Sequence, residues 1–267
     1  MRILFLGDIV GRAGRMAILQ NLSAIKQAYN IDFTIANCDN ASAGFGINKN
    51  CYQELVDAGI DVLTAGDHVW DQKEVNGFIN DAKKLLRPLN FPKSAPGAGA
   101  RIYIDHQHRK ILVIHLLGQI FMKYNLNCPF EMVEEVIKNN SLGNEVDAIF
   151  VDFHAEATSE KMAMGKFLDG KVSAVIGSHT HIPTNDFHIQ RMKTAFQCDA
   201  GMCGDYDSVI GMEKNTPLQI FLHKRKFDKM TPAQGEATIC GTVIELEKNG
   251  LAKKIFAIKT GGILENN

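Results

Sequence analysis

The sequence lacks any run of about 18 apolar residues, although 45% of its 267 residues are hydrophobic. A helix that crosses a bilayer needs about 20 such residues, so we expect no membrane span. The chain begins with only a short apolar run before the acidic Asp8. A secretory signal carries a longer apolar segment after a basic one. We therefore expect no secretory signal and a cytoplasmic protein.

An excess of either charge is also missing, because 29 basic and 30 acidic residues give a net charge of -1. Dedicated nucleic-acid binders usually carry a strongly basic face, so we do not expect a nucleic-acid partner. The six cysteines include no C-x-x-C pair, and we interpret them as reduced, packed thiols. No internal repeat, low-complexity tract or long linker interrupts the chain. We therefore expect a single domain over residues 1–267.

Apolar runs alternate with helical patterns in the first part of the chain. Residues 2–6, 32–36 and 61–65 are short apolar runs that predict parallel strands. Residues 14–29 carry an apolar side chain at every third position, which is typical of an amphipathic helix, and residues 48–58 predict a second helix. Strand–helix repeats of this kind favour a layered α/β fold with right-handed crossovers.

The remainder of the chain adds strands and two more helices. Residues 86–99 contain Pro88, Pro92 and Pro96 and are predicted to form a loop. Helices are predicted at 130–139 and at about 159–168. The predicted strands are 101–104, 110–116, 148–153, 171–176, 194–198, 237–247 and 252–259. The pattern after His181 is β-rich, and either one mixed sheet or two sheets between helices would account for it.

Two histidines one residue apart, His179 and His181, follow the apolar run 171–176. Residues two apart on an extended segment point the same way, so both imidazoles are expected to face one point beyond the strand. A neutral imidazole is a good ligand for a transition metal and a poor one for magnesium or calcium. Taken alone, the pair could also be two loop histidines without a role.

Other predicted strands also end in groups that can bind a metal. These are Asp8, Asp39 with Asn40, Asp67 with His68, and His154. We expect them to meet the histidine pair at the same edge of one sheet. Mixed carboxylate and imidazole ligands suit zinc, manganese or iron. The groups are too many for one ion with open positions, so they predict two ions about 3.5–4 Å apart that share a carboxylate.

These segments, in this order, resemble the motifs of the calcineurin-like metallophosphoesterases. They are Gly7-Asp8, Asp39-Asn40, Gly66-Asp67-His68, His154 and the G-S-H-T-H block at 177–181. The segments 8–12 and 207–211 further resemble the YmdB-like branch of that superfamily. That branch includes phosphodiesterases that act on 2′,3′-cyclic nucleotides. The resemblance implies a layered α/β/β/α sandwich of mixed sheets flanked by helices.

The resemblance also implies a role for each residue. Asp8 and His181 would hold one metal, with Asn40 nearby, and Asp39 would bridge both metals. The second metal would be held by Asp67, His154 and His179. His68 would contact the phosphate instead of a metal. The cofactors implied are two transition-metal ions, with iron or manganese preferred and zinc also suitable. The substrate implied is a small phosphodiester or nucleotide, and a homo-oligomer is left open.

Three positions depart from the family pattern. Val10 stands where the superfamily usually has a histidine, Asp39 where the YmdB-like branch usually has glutamate, and Asp67 where asparagine is usual. The charges of Asp8, Asp39, Asp67 and a bridging hydroxide would cancel those of two divalent ions. A neutral centre attracts an anionic phosphodiester less. We therefore expect a weaker enzyme, or one ferric ion that restores the positive charge.

The expected chemistry is attack by a metal-bridging hydroxide on the phosphorus, with the metals neutralising charge on the phosphoryl oxygens. His68 would stabilise that charge or protonate the leaving alkoxide, or it would only orient a neighbouring group. His115, at a strand end, is a further candidate to line the site.

Two alternatives remain. One is a regulatory protein with the same fold and metals but little catalysis. The other is a dinucleotide-binding loop at residues 7–14 with Asp39 on the ribose. Its glycine spacing differs from G-x-G-x-x-G, and it leaves the histidines unexplained.

Overall fold

The computed structural model of the chain describes residues 1–225 and 228–264. Two β-sheets pack face to face, and helices cover the outer face of each. The helices, numbered along the chain, are α1 (Gly11–Tyr29), α2 (Lys49–Asp57), α3 (Val75–Phe78), α4 (Pro129–Lys138), α5 (Thr158–Phe167) and α6 (Asn215–His223). A short 3₁₀ helix spans Gly262–Leu264.

The first sheet has eight strands. In spatial order they are β2 (Asp8–Ile9), β12 (Met202–Asp205), β13 (Ala237–Leu246), β1 (Arg2–Leu6), β3 (Phe33–Asn37), β4 (Val62–Thr64) and β5 (Leu85–Leu86), and β14 (Ala252–Thr260) also pairs with β13. The strands β1, β3, β4 and β5 run parallel, whereas β13 is antiparallel to β1. The carboxyl ends of the four parallel strands therefore share one edge of this sheet.

The second sheet has six strands. In spatial order they are β10 (His188–Ile189), β11 (Ala195–Gln197), β9 (Ala174–Ser178), β8 (Ala148–His154), β7 (Lys110–Leu117) and β6 (Ala100–Ile104). The four central strands are parallel, and the edge strands β6 and β10 are antiparallel to their neighbours. The carboxyl ends of β8 and β9 thus lie side by side, with His154 in register with Ser178.

Alternation along the strands builds the layers, because successive side chains point to opposite faces of a sheet. In β1, Ile3 and Phe5 face the second sheet, where Phe5 lies against Phe150 with ring centroids 5.2 Å apart. Leu4 and Leu6 face α1 and α2 instead. The strands are buried on both sides, which explains why they are continuous apolar runs in the sequence.

The α/β/β/α sandwich expected from the resemblance is confirmed. The predicted strands lie within a few residues of the observed ones. Some boundaries were misplaced: α1 begins at Gly11 instead of residue 14, and the region predicted to be a loop includes part of the short strand β5. The short elements β2, α3, β10, β12 and the 3₁₀ helix were not predicted, and the region predicted to be β-rich contains α6. Exposed Leu218 and Phe221 lie on α6, so that helix lacks the core-facing stripe by which helices are recognised.

Within the described residues, no helix has both the length and the apolar character needed to cross a membrane. All six cysteines lie in the described part of the chain and are unpaired, and all except Cys128 are buried.

Candidate metal centre

The candidate residues converge from both sheets. Asp39 follows β3 and Asp67 follows β4 in the first sheet, whereas His154 ends β8 and His179 follows β9 in the second. The expectation of a single sheet edge was therefore wrong, because parallel strands of two facing sheets end at the same side of the sandwich. The site lies where the two sheets meet, and each sheet supplies one side of it.

The loop after β9 is not extended. The expectation that His179 and His181 face one point because they lie two apart on an extended segment therefore had the wrong basis. His179 has φ of 99° and His181 has φ of 66°, in the left-handed region that residues other than glycine rarely adopt. The two imidazoles nevertheless reach the same site, one at each cluster described below. The twisted backbone directs the side chains inward.

One cluster consists of Asp67, His154 and His179, whose ligand atoms all lie within 4.8 Å of one another. Nε2 of His154 is 3.1 Å from Nδ1 of His179 and 3.3 Å from Oδ1 of Asp67. Gly66 leaves the necessary space, since a Cβ at that position would collide with the His154 ring. Two nitrogens and one carboxylate oxygen thus face a common point.

The second cluster consists of Asp8, Asn40 and His181. Nε2 of His181 lies 3.2 Å from Oδ1 of Asn40 and 3.9 Å from Oδ1 of Asp8. The amide nitrogen of Asn40 donates to the carbonyl of Gly44 at 3.0 Å, which turns its oxygen toward His181. Val10 is buried in the hydrophobic core, with 1% of its surface exposed, so it adds no ligand here.

Asp39 lies between the two clusters. Its Oδ1 accepts a hydrogen bond from the backbone nitrogen of His68 at 3.0 Å, and its Oδ2 is 3.4 Å from Nε2 of His154. Among the described residues, neither Oδ2 of Asp39 nor Oδ1 of Asp8 has a hydrogen-bond donor, although both atoms are buried. A buried carboxylate oxygen without a donor is costly unless a cation takes the donor's place.

The pKa shifts of these groups also indicate that the site favours bound positive charge. Burial opposes a charge on His154, yet the adjacent carboxylates of Asp39 and Asp67 raise the pKa of its imidazole well above 6.5. Burial raises the pKa of Asp8 from 3.8 to about 6. Burial and the nearby charge of His154 lower the pKa of His179 to about 3. A proton on His154 thus supplies the charge that a metal would bring.

These residues fit a transition-metal site. The imidazole and carboxylate groups of both clusters face inward. Oδ1 of Asp8 and Oδ2 of Asp39, which lack hydrogen-bond donors among the described residues, are available to bind a cation. When bound, such ions lower the pKa of a coordinated water and neutralise charge on phosphoryl oxygens. His154, His179 and Asp67 would hold one ion, and Asp8, His181 and Asn40 the other.

Behind the first cluster lies a buried polar network. Nδ1 of His154 is 2.9 Å from Oγ of Ser178, which in turn donates to Oδ1 of Asp152 at 2.7 Å. His115 does not line the site; it is fully buried, with Nδ1 3.1 Å from Oδ2 of Asp152. Sequence reasoning missed Asp152, although an aspartate two residues before His154 on an apolar strand shares its face.

A cavity of about 300 Å³ opens onto the metal ligands. His68 lines it, and Nδ1 of His68 is 2.7 Å from Oδ2 of Asp71, which leaves Nε2 for a ligand. The apolar part of the lining is formed by Phe45, Ile210, Met212 and Met230. The cavity therefore combines a charged floor with an apolar wall.

Glu156 also lines the cavity and was not predicted as a site residue. Its Oε2 lies 3.1 Å from Nε2 of His179, the nitrogen that faces away from the cluster. A carboxylate in this position fixes the tautomer and orientation of a ligand histidine. Its position two residues after His154 was the sequence feature that could have identified Glu156 as a site residue.

A larger cleft of about 520 Å³ lies elsewhere, between α1 and residues 234–237. Its lining includes Arg12, Gln20 and Glu236 but, among the described residues, no histidine or cysteine. The chemistry of the chain is therefore concentrated in the smaller cavity.

A sandwich of two sheets with imidazoles and carboxylates gathered at the strand ends defines a metallophosphoesterase of the calcineurin-like superfamily. The family model of YmdB-like proteins matches residues 4–258. The chain belongs to the YmdB-like family, and it is a hydrolase of the phosphoesterase class.

Individual relatives agree with this assignment. The chain is 40% identical over 267 residues to the 2′,3′-cyclic-nucleotide 2′-phosphodiesterase of Bacillus subtilis (strain 168), covering 100% of this chain and 98% of that protein. A hypothetical protein from Thermus thermophilus superposes with a TM-score of 0.91 at 36% identity, covering 98% of this chain and 100% of that one. A novel phosphatase from Mycoplasma pneumoniae gives a TM-score of 0.90 at 32% identity, covering 98% of this chain and 93% of that one.

Proposed function

We propose that this protein is a dinuclear metal-dependent phosphodiesterase that hydrolyses 2′,3′-cyclic nucleotides. The observation that carries the proposal is the two groups of side chains on either side of Asp39. Asp67, His154 and His179 form one, and His181 lies near Asn40 and Asp8 in the other. Buried carboxylate oxygens of Asp8 and Asp39 lack hydrogen-bond donors among the described residues. Two clusters that share a carboxylate are the arrangement needed to hold two ions at the separation used in phosphoester hydrolysis.

The cavity supports a small nucleotide as the substrate. Its volume of about 300 Å³ is at the lower end of the range for small-molecule sites, roughly 300–1,000 Å³. A phosphodiester would sit over the ligand clusters, and the apolar wall that includes Phe45 and Met212 offers a surface to a nucleobase. The B. subtilis relative carries the name of an enzyme for this substrate class.

His68 is proposed as the residue that stabilises the phosphoryl oxygens or protonates the leaving alkoxide. Asp71 holds Nδ1 of His68, and the backbone nitrogen of His68 bonds to Asp39. Its position is therefore tied to the carboxylate proposed to bridge the metals. A proton donor placed in this way contributes about 10²–10⁴-fold to rate.

The metals proposed are iron or manganese, with zinc as a further possibility, and a cytoplasmic location is proposed because the cysteines are unpaired. The four histidines gathered at one site, which the dinucleotide-binding alternative left unexplained, favour the phosphodiesterase. A regulatory protein with bound metal and little turnover is the remaining alternative.

The test is the metal content of the purified protein, followed by its turnover of 2′,3′-cyclic nucleotides. We expect about two transition-metal ions per chain in the wild type and fewer in His179→Ala. His188→Ala, which removes an exposed histidine on β10, is the matched control and should retain the metals. Absence of metal after loading with each ion would contradict the dinuclear site, and metal without turnover would favour the regulatory alternative.

A further inference from the structure

We propose that a buried ion pair, Lys161 with Asp199, fixes the backbone of the loop that carries His179 and His181 and thereby sets the metal affinity of the centre. The inference rests on the proposed function, since it concerns two of the proposed metal ligands. Lys161 and Asp199 do not line the cavity, so they act as positioning residues.

The pair is fully removed from solvent. Lys161 lies on α5 with 1% of its surface exposed, and its Nζ is 2.8 Å from Oδ2 of Asp199, which is completely buried. Moving two charges out of water is expensive, and the cost is offset only when good geometry and further hydrogen bonds satisfy both groups. The remaining partners of Asp199 therefore indicate what the pair does.

Those partners belong to the histidine loop and to the segment beside it. Oδ2 of Asp199 accepts hydrogen bonds from the backbone nitrogen of Thr180 at 3.0 Å and from its hydroxyl at 2.8 Å. Oδ1 accepts one from the backbone nitrogen of Gly201 at 2.8 Å. Thr180 thus places both of its donors on the one oxygen that also binds the ammonium group.

Thr180 is the residue between the two left-handed histidines. A left-handed backbone at a residue with a Cβ is strained and persists only where the surroundings hold it. The loop has further anchors. The His179 nitrogen donates to Asp8, Nδ1 of His181 lies 2.7 Å from the carbonyl of Ile210, and the Tyr206 hydroxyl donates to the carbonyl of His181 at 3.0 Å. Asp199 also lies outside the cavity lining, and it holds Thr180, the residue between the two histidines.

The packing around the pair is tight. A Cβ at Gly177 would collide with the carbonyl oxygen of Cys198 and stand 3.0 Å from Cδ of Lys161. The lysine stem therefore runs directly beneath the start of the loop. Removal of its charge would leave a buried carboxylate without its counter-ion, and the carboxylate would then hold Thr180 less firmly.

The experiment compares metal binding by Thr180→Val and Thr180→Ser. Valine removes the hydroxyl donor at nearly constant volume, whereas serine keeps it. Mn²⁺ is titrated into chelator-treated protein in a calorimeter. We expect Thr180→Val to bind about 10–100-fold more weakly than wild type, which corresponds to the loss of one hydrogen bond to a charged group, and Thr180→Ser to bind like wild type.

Thr34→Val is the matched control. The hydroxyl of Thr34 is buried and has no hydrogen-bond partner among the described residues, so Mn²⁺ affinity should not change. Lys161→Met should reproduce the loss seen in Thr180→Val, and amide hydrogen exchange at residues 177–182 should be faster in both. If Lys161→Met does not fold, Thr180→Val carries the test alone.

Wild-type affinity and wild-type exchange in Thr180→Val would overturn the inference while the proposed function stands. A wild type that binds Mn²⁺ but hydrolyses no cyclic nucleotide would count against the proposed activity and leave the inference intact. A wild type that binds no Mn²⁺ would overturn both.

Discussion

Oγ of Ser178 lies 2.9 Å from Nδ1 of His154. Because this hydroxyl donates its own hydrogen to Asp152 at 2.7 Å, its oxygen is left to accept the Nδ1 proton of the histidine. When His154 is neutral, as metal binding requires, its Nε2 then carries the lone pair that faces the cluster with Asp67. The serine therefore selects the tautomer that a metal requires.

Ser178→Ala is expected to weaken metal binding by about 10–100-fold, because His154 would lose the partner that fixes its tautomer and orientation. Ion affinity measured by titration of the metal-free protein checks this. Ser173→Ala is the control, since Ser173 is buried near the opposite end of β9, where it accepts a hydrogen bond from Ile149. Equal affinities for both variants would show that the serine has no such role.

His68→Ala should retain both metals and lose about 10²–10⁴-fold in kcat, because it removes the proposed proton donor and leaves the clusters intact. Asp71→Asn should give a smaller loss, since the ring of His68 remains but its Nδ1 contact is weaker. Steady-state kinetics with a 2′,3′-cyclic nucleotide and elemental analysis of the same samples test both expectations.

The control for His68 is His106→Ala, which removes an exposed histidine in the turn between β6 and β7 and should leave kcat unchanged. Loss of metal together with turnover in His68→Ala would make His68 a ligand instead of a catalytic residue.

Asp8→Asn should stabilise the metal-free protein at neutral pH. Burial raises the pKa of Asp8 from 3.8 to about 6, so the folded state favours the protonated, uncharged form. The stability this provides is complete below pH 3.8 and is lost as the pH rises through 6. Asparagine is neutral throughout, so its advantage over wild type should grow between pH 4 and pH 6 and level off above.

Thermal unfolding in the presence of a chelator, at several pH values, measures this difference. Asp57→Asn, a change at a surface carboxylate on α2, provides the comparison. With metal added, wild type should become the more stable of the two proteins, because Asp8→Asn lacks a proposed ligand and gains less stability from metal binding. A variant that is less stable than wild type at every pH would refute the argument.

Asp67→Asn should raise phosphodiesterase turnover severalfold with divalent ions. Although burial opposes ionisation, hydrogen bonding and the charge of His154 hold the pKa of Asp67 below its ordinary value. Asp67 is therefore charged at neutral pH and contributes to the neutral centre inferred from the sequence. Loss of that charge would strengthen attraction of an anionic phosphodiester. No gain in kcat/KM with any metal would reject the idea.

Much of the site could be predicted because it lies where buried strands end. Apolar runs such as β1 and β8 end abruptly in polar residues, and these residues were the candidates that the structure gathers. Their proposed roles as ligands remain predictions, as does the single-domain organisation of the chain.

The division into two sheets could not be predicted from local pattern alone. Arg2 pairs with Glu245, a partner far along the chain, and apolar runs do not specify their neighbours. The left-handed backbone at His179 was also hidden, because the neighbouring Thr180 is bonded to Asp199, a residue distant in the sequence. Asp199 carries no local signal that links it to the histidines.

The strand pairing of Asp8 has a consequence for the order of events during synthesis. Asp8 lies in β2, whose partner β12 (Met202–Asp205) is itself paired with β13 (Ala237–Leu246). A nascent chain can join β1 to β3 early, but the strands that support Asp8 are synthesised more than 190 residues after it. The cluster that contains Asp8 therefore gains its supporting strands only after Asp67, His154 and His179 have all been synthesised, so the two halves of the centre form in a fixed order.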